Sequence, residues 1–217
     1  MGNKNIINIG IGGATRSGKT TLAENLVKFL NASPNKLIGL DDYTDFDKVI
    51  EYGNNFEIPE VHDWKLFCKD LDNPKKIINY KGKNYILSEG FLLFKQPLCH
   101  KFEKSIFIYI TKEICKERRM KTTRVPNSYF ENILWPAYIK NNYHLAKWKK
   151  NKIDGLGNDL MVLDGTLLSK DEILNKSLNF IFGKNDYERD KDNEQKLLDK
   201  IEEEYLDLTE NNKIKDK

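Results

Sequence analysis

The residues with the clearest chemical capacity are Gly13, Ala14, Thr15, Arg16, Ser17, Gly18, Lys19 and Thr20. Their spacing fits the phosphate cradle G-x-x-x-x-G-K-[ST]. The glycines let the loop curl so that consecutive backbone N–H groups point at a polyphosphate. In such a loop Lys19 reaches the β- and γ-phosphates and the Thr20 hydroxyl takes a place on Mg²⁺. Thr21 follows at the start of a helix-like segment, TTLAENLVKFL, and the apolar run IINIGI precedes the loop. A strand before and a helix after are what this chemistry requires, so the chain is expected to bind a nucleoside triphosphate.

The elements that must position this loop can be read from apolar periodicity. Runs Ile6–Ile11, Leu37–Leu40, Tyr85–Ser88, Ser105–Ile110 and Leu160–Leu163 are nearly continuous and β-branched. That character suits strands covered on both faces of a parallel sheet. Helical spacing alternates with them over Thr20–Leu30, Pro59–Leu71, Lys112–Met120 and Lys170–Phe182, the last opened by the capping box Ser169-x-x-Glu172. Ile77–Ile86 reads as a small hairpin before the third strand, whereas Tyr43–Asn55 lacks a period and reads as a loop. Alternation of β and α predicts an α/β fold: a doubly wound parallel sheet of about five strands, with helices on both faces and a short lid. In such a sheet ligands bind at the carboxyl ends of the strands. Asp41-Asp42, Glu89-Gly90 and Asp164-Gly165 follow three of the runs, and these acids are expected beside the triphosphate for metal binding and proton abstraction.

Composition narrows the classes of partner. A formal charge of +3 from 36 basic and 33 acidic residues gives no strong polyanion-binding field, so no nucleic acid is expected. The basic patch Leu145–Lys152 reads as a solvated helix end. No apolar run approaches a membrane span, and a strand starts too near the N-terminus for a secretory signal. Cys68, Cys99 and Cys115 lack metal or disulfide spacing, which suits reduced thiols in the cytoplasm. His62, His100 and His144 are scattered, which argues against a zinc site. Residues 1–182 read as one domain and 183–217 as a charged extension with one amphipathic helix; a monomer is the simpler expectation.

Several stretches carry a family resemblance: IGIGGATRSGKTTLA, LDDY, NFEIPEVHDW, SEGFLLF, CKERR, YFENILWPAYIK and VLDGT, in that order. With them the chain resembles the nicotinamide riboside kinases, in the uridine kinase-like group of P-loop small-molecule kinases. The resemblance implies transfer of the ATP γ-phosphoryl group to the 5′-hydroxyl of a ribonucleoside. It makes Asp41 the general base, with Asp42, Tyr43 and Thr44 on the substrate side, and Thr20, Asp41 and Glu89 about Mg²⁺. Phe56 would stack on the base and Glu57 would hold the ribose hydroxyls. Arg118 and Arg119 would brace the phosphates, one on ATP and one near the substrate, with Arg124 as a further lid arginine on ATP. By their residues alone, Phe56 could be a core residue, Glu57 a helix-start acid near the dipole, and Arg118-Arg119 equally a basic helix end. Glu57 stands where the family has Asp, and Thr44 where it has an aromatic that Phe46 could replace. The lid is also shorter. These departures leave open a kinase of uridine or cytidine, while a non-catalytic nucleotide-binding module is the remaining alternative.

Overall fold

The alternation IGIGG in β1 (Ile6–Gly13) decides how the sheet is covered. In this computed structural model, which describes residues 6–95, 101–122, 126–151, 159–183 and 189–215, Ile9 and Ile11 point to one face and are fully buried. Gly10 and Gly12 leave the other face open to aromatic rings. A Cβ at Gly10 would stand 2.9 Å from both Phe94 and Phe102, and one at Gly12 2.5 Å from Phe94. Successive residues of a strand face opposite ways, so one strand serves two cores of different chemistry.

The Ile face packs α1 (Lys19–Phe29), whose Leu22, Ala23 and Leu26 are buried with Ile173 and Phe180 of a helix near the C-terminus. β2 (Ile38–Gly39) leads into a 3₁₀ turn, Leu40–Tyr43, and then α2 (Phe46–Glu51). α3 (Trp64–Leu71) follows, before the hairpin of β3 (Ile78–Tyr80) and β4 (Lys83–Glu89). β5 (Lys104–Tyr109) feeds α4 (Lys112–Thr122), where Thr111 Oγ1 accepts from the Ile114 N–H at 3.5 Å. A short α5 (Asn127–Tyr129) runs through a π turn, Phe130–Leu134, into α6 (Trp135–Asn142) and α7 (His144–Asn151). β6 (Asp159–Asp164), α8 (Lys170–Phe182) and α9 (Lys191–Lys215) complete the described order.

The strands lie in the order β2-β4-β1-β5-β6, all parallel, with β3 antiparallel on β4. This is the expected α/β architecture, and the small hairpin expected over Ile77–Ile86 is formed by β3 with the third expected strand, β4, itself. The strand order puts β1 between β4 and β5, so the cradle at its carboxyl end faces a crevice where successive connections leave the sheet in opposite directions.

Two local readings are corrected. Pro59–Leu71 is not one helix: a 3₁₀ turn at Pro59–Val61 gives way to extended backbone at His62, and α3 restarts at Trp64. Asp63 forces the break, because its Oδ1 caps the new helix through the Leu66 N–H (2.9 Å) while its own N–H donates to the Tyr43 carbonyl (2.8 Å). The loop assigned to Tyr43–Asn55 contains α2, capped by Asp45 through the N–H groups of Asp47 and Lys48. α2 shows no apolar period because only Val49 is buried; Phe46 and Ile50 face outward.

α9 lies along β6, α6 and α7, burying Leu197, Leu198 and Ile201 in the aromatic core. Arg189 anchors its start, with Nη1 2.6 Å from Asp159 and Nη2 2.7 Å from Glu194. Farther on, Glu204 accepts from the Trp135 indole N–H at 2.6 Å, and Tyr205 stacks on Tyr143. No helix among the described residues is long and apolar enough to cross a membrane.

Candidate active site

The phosphate loop closes tightly at the end of β1. Gly13 has φ 138°, and a Cβ there would collide with the carbonyl of Ile108 on β5, so only glycine fits. Gly18, at φ 105°, then turns the chain into α1. Lys19 is buried and its Nζ donates to the Ala14 carbonyl at 3.0 Å, which lays the side chain back against the loop. Ser17 Oγ is buried without a partner among the described residues. A polar atom orphaned inside a curl of N–H groups suits an anion better than a filled core. The Cys115 thiol donates to the Thr15 carbonyl at 3.3 Å; burial pushes this thiol up to about 12, so it stays neutral and steadies the loop.

Two neighbouring strand ends bring the acids. Glu89 closes β4, and its Oε1 accepts from the Thr20 hydroxyl at 3.2 Å. Gly90 lets the Leu40 turn approach, since a Cβ there would lie 2.5 Å from Leu40 Cβ. Residues three apart in a 3₁₀ turn share a face. Leu40 and Tyr43 are therefore both buried, and Asp41 and Asp42 are exposed. Asp41 lines a cavity of about 420 Å³ together with Lys19, Thr20, Glu89 and Arg119. Its charge acts on Glu57, His62 and Glu89 at once, which puts the carboxylate amid all three.

The far wall of the same cavity is formed by Thr44, Phe46, Phe56, Glu57, His62 and Phe91. Phe46 and Phe56 meet edge to face at 6.2 Å between centroids, both substantially exposed at the mouth. Glu57 is 8% exposed, and burial raises its carboxyl to about 7, against the pull of Arg119 and with the push of Asp41. The sign for stability follows. Between pH 4.5, the ordinary value, and about 7 the folded chain holds a proton that the unfolded chain has released, so stability falls as pH rises through that window. Glu57→Gln should therefore melt higher than the parent at pH 8, by up to about 3 kcal/mol, with the gain fading by pH 5. Melting curves at the two pH values check it; an equal difference at both would remove the effect.

Arg118 and Arg119 diverge from adjacent positions on α4. Arg119 Nη1 donates to Thr15 Oγ1 at 3.2 Å on the acid-lined cavity. Arg118 reaches the other side of the loop, donating to the Gly165 carbonyl at 3.0 Å. There it lines a second cavity of about 290 Å³ with Arg16, Gly18 and Thr21.

Not every expected residue comes to the site. Tyr43 points into the core, its hydroxyl on Asp70 Oδ2 at 2.7 Å and its ring edge-on to Phe67. Asp42 stands outside the lining of the cavity. Asp164 caps its own turn through the N–H groups of Thr166 and Leu167, so the expected trio of acids reduces to Asp41 and Glu89. Arg124 lies outside the described residues. Conversely, His62 and Phe91 line the cavity without having been singled out in the sequence. Their signal is tertiary: the chain pairs Thr44 with His62 across 18 positions.

No group of three or more His, Cys, Asp or Glu among the described residues could cage a metal. Mg²⁺ does not need one: it binds through one or two carboxylates plus phosphates and waters. Thr20, Glu89 and Asp41 offer the required hard oxygens. Burial holds Glu89 above the ordinary carboxylate value against the pull of Lys19, and Asp41 raises it further, a strain that a cation relieves.

Over 184 residues the chain is 32% identical to nicotinamide riboside kinase 1 of Rattus norvegicus, spanning 75% of this chain and 88% of that one. The chain belongs to the nicotinamide riboside kinase family. Similarity to the Homo sapiens nicotinamide riboside kinase 1 is also 32%, covering 76% of this chain and 87% of the relative. The Saccharomyces cerevisiae nicotinamide riboside kinase is 23% identical, with 72% and 85% covered. No family model matches. Among solved structures, a sugar kinase from Janibacter sp. HTCC2649 superposes with a TM-score of 0.53 at 14% identity, over 82% of this chain and 95% of that one. That likeness concerns the fold. In this member of the nicotinamide riboside kinase family, the shared frame is the parallel sheet with its flanking helices.

Proposed function

We propose that this protein phosphorylates the 5′-hydroxyl of nicotinamide riboside with ATP and Mg²⁺, giving nicotinamide mononucleotide for NAD salvage in the cytoplasm. One observation carries the reading. Asp41, Lys19 and Arg119 share a single cavity with an aromatic pair and a buried acid, so a phosphate grip and a nucleoside seat meet within one volume.

In this reading the triphosphate displaces the Ala14 carbonyl from Lys19 and lies along the N–H groups of Ala14 to Thr20. Arg118 and Thr21 take the nucleoside end of ATP in the second cavity. Thr20, Glu89 and Asp41 would hold Mg²⁺, which would supply neutralisation of the charge that develops on the phosphates during transfer. The acceptor oxygen attacks the γ-phosphorus as the bond to the β-bridging oxygen breaks. Its proton passes to Asp41 Oδ, and ADP leaves with the bond's electron pair. A carboxylate suffices as base because proton removal can lag behind in a loose transition state. Arg119 offers a planar cation to the equatorial oxygens.

Phe46 and Phe56 can take a pyridinium between a face and an edge, with cation–π attraction adding to stacking. Glu57, its carboxylate form favoured by the ribose hydroxyls that donate to it, would hold the ribose. A panel of nicotinamide riboside, nicotinic acid riboside, uridine and cytidine in a coupled ADP-release assay tests the reading. The expected result is the highest kcat/KM with nicotinamide riboside. Turnover of uridine and cytidine alone would make the protein a pyrimidine nucleoside kinase; nucleotide binding with no riboside-dependent ADP release would make it a binding module.

A further inference from the structure

His62 has no place in the scheme above, yet its surroundings are built. The ring is 4% exposed, wedged between Trp64 and Phe91 at 5.6 and 5.9 Å between centroids. Its backbone is tied to the Asp41 loop on both sides: Thr44 and His62 form an antiparallel bridge, and the flanking N–H groups of Asp45 and Asp63 donate across it at 2.7 and 2.8 Å. Nδ1 lies 3.4 Å from Thr44 Oγ1. Nε2, on the opposite side of the ring, is buried with no hydrogen-bond partner among the described residues. The same ring lines the acceptor cavity that Asp41 and Glu57 share.

A buried polar atom without a partner is costly, and it persists where a ligand completes it. Ser17 Oγ, another buried atom without a hydrogen-bond partner among the described residues, sits in the phosphate curl, where an anion explains it. His62 instead lines the cavity that holds Asp41 and Glu57. Burial moves its imidazole below the ordinary histidine value despite the pull of Asp41, so the ring is uncharged and can present Nε2 as either donor or acceptor, according to the bond at Nδ1.

We infer that His62 is an acceptor-binding residue: its Nε2 hydrogen-bonds a neutral polar group of the bound nucleoside, a ribose hydroxyl or the carboxamide of the base. The inference rests on the nucleoside kinase reading and deepens it. A fixed, desolvated nitrogen of this kind selects for acceptors that can complete it, because an acceptor lacking the group leaves the nitrogen bare.

Two substitutions separate a ligand contact from a packing role. His62→Asn places an amide near Nδ1 and keeps a partner for Thr44, but cannot reach the Nε2 position. His62→Gln reaches it. The expected result is a roughly tenfold rise in KM for nicotinamide riboside in His62→Asn, with KM for ATP within twofold, and recovery to within threefold of the parent in His62→Gln. Repeating both with the riboside of unsubstituted pyridine locates the partner. A penalty that vanishes there assigns the carboxamide, and one that persists assigns the ribose. Equal riboside KM values in all three proteins, or better recovery by Asn than by Gln, would overturn the role of His62. Absence of riboside turnover in the parent would instead overturn the kinase reading.

Discussion

Asp41→Asn is expected to lower kcat by roughly 10²- to 10⁴-fold while the affinity for ATP stays near that of the parent. The substitution keeps the size and the exposed position of the side chain in the Leu40–Tyr43 turn, so the fold has no reason to change. What disappears is the oxygen proposed to take the proton of the acceptor hydroxyl. In the proposed arrangement the grip on the triphosphate comes from the Gly13–Thr20 loop and Lys19, so it should survive the substitution. Single-turnover rates together with equilibrium nucleotide titration check this. An unchanged rate would remove Asp41 from the chemistry, and a parallel loss of ATP affinity would recast it as mainly a metal ligand.

Arg119→Ala should cost on the order of 10²- to 10³-fold in kcat, the loss typical of one preorganised group facing developing charge. Its neighbour provides the contrast. Arg118 bonds the Gly165 and Arg16 carbonyls beside the second cavity, so Arg118→Ala should act mainly on KM for ATP. A helix advances 100° per residue, and on α4 that rotation sends consecutive guanidinium groups to opposite sides of one loop. Steady-state kinetics with each substrate varied in turn distinguishes them. Equal effects of the two substitutions on kcat and both KM values would contradict the divided geometry.

Much of the frame was legible because its causes are local. The β-branched runs, the cradle spacing and the Ser169–Glu172 capping box each act within a few residues, and the structure reproduces them, α8 running over Lys170–Phe182 as read. The misreadings have a common source in contacts that close at a distance. Asp63 ends one turn and starts α3 because its N–H meets Tyr43, 20 positions away in sequence, and no window along the chain contains both. Tyr43 sits beside two acids in LDDY, but the 3₁₀ turn places it with Leu40 in the core. Asp164 follows a strand like Asp41 and Glu89, yet two N–H groups of its own turn claim it. Of the three acids that follow strands, the two that reach the cavity are those whose strands adjoin each other, β2 and β4, a relation set by sheet order rather than by chain order.

The C-terminal helix has a consequence for how this enzyme can be altered. Leu197, Leu198 and Ile201 share one apolar mass with Phe130, Trp135 and Tyr138, the segment just beyond α4 that carries both arginines. A chain cut short before position 197 would strip that mass and release the Trp135 indole from Glu204. Trimming the polar end to ease crystallisation or to append a reporter would then loosen the scaffolding behind the phosphate-handling side, far from any substrate. A tag belongs elsewhere on this molecule.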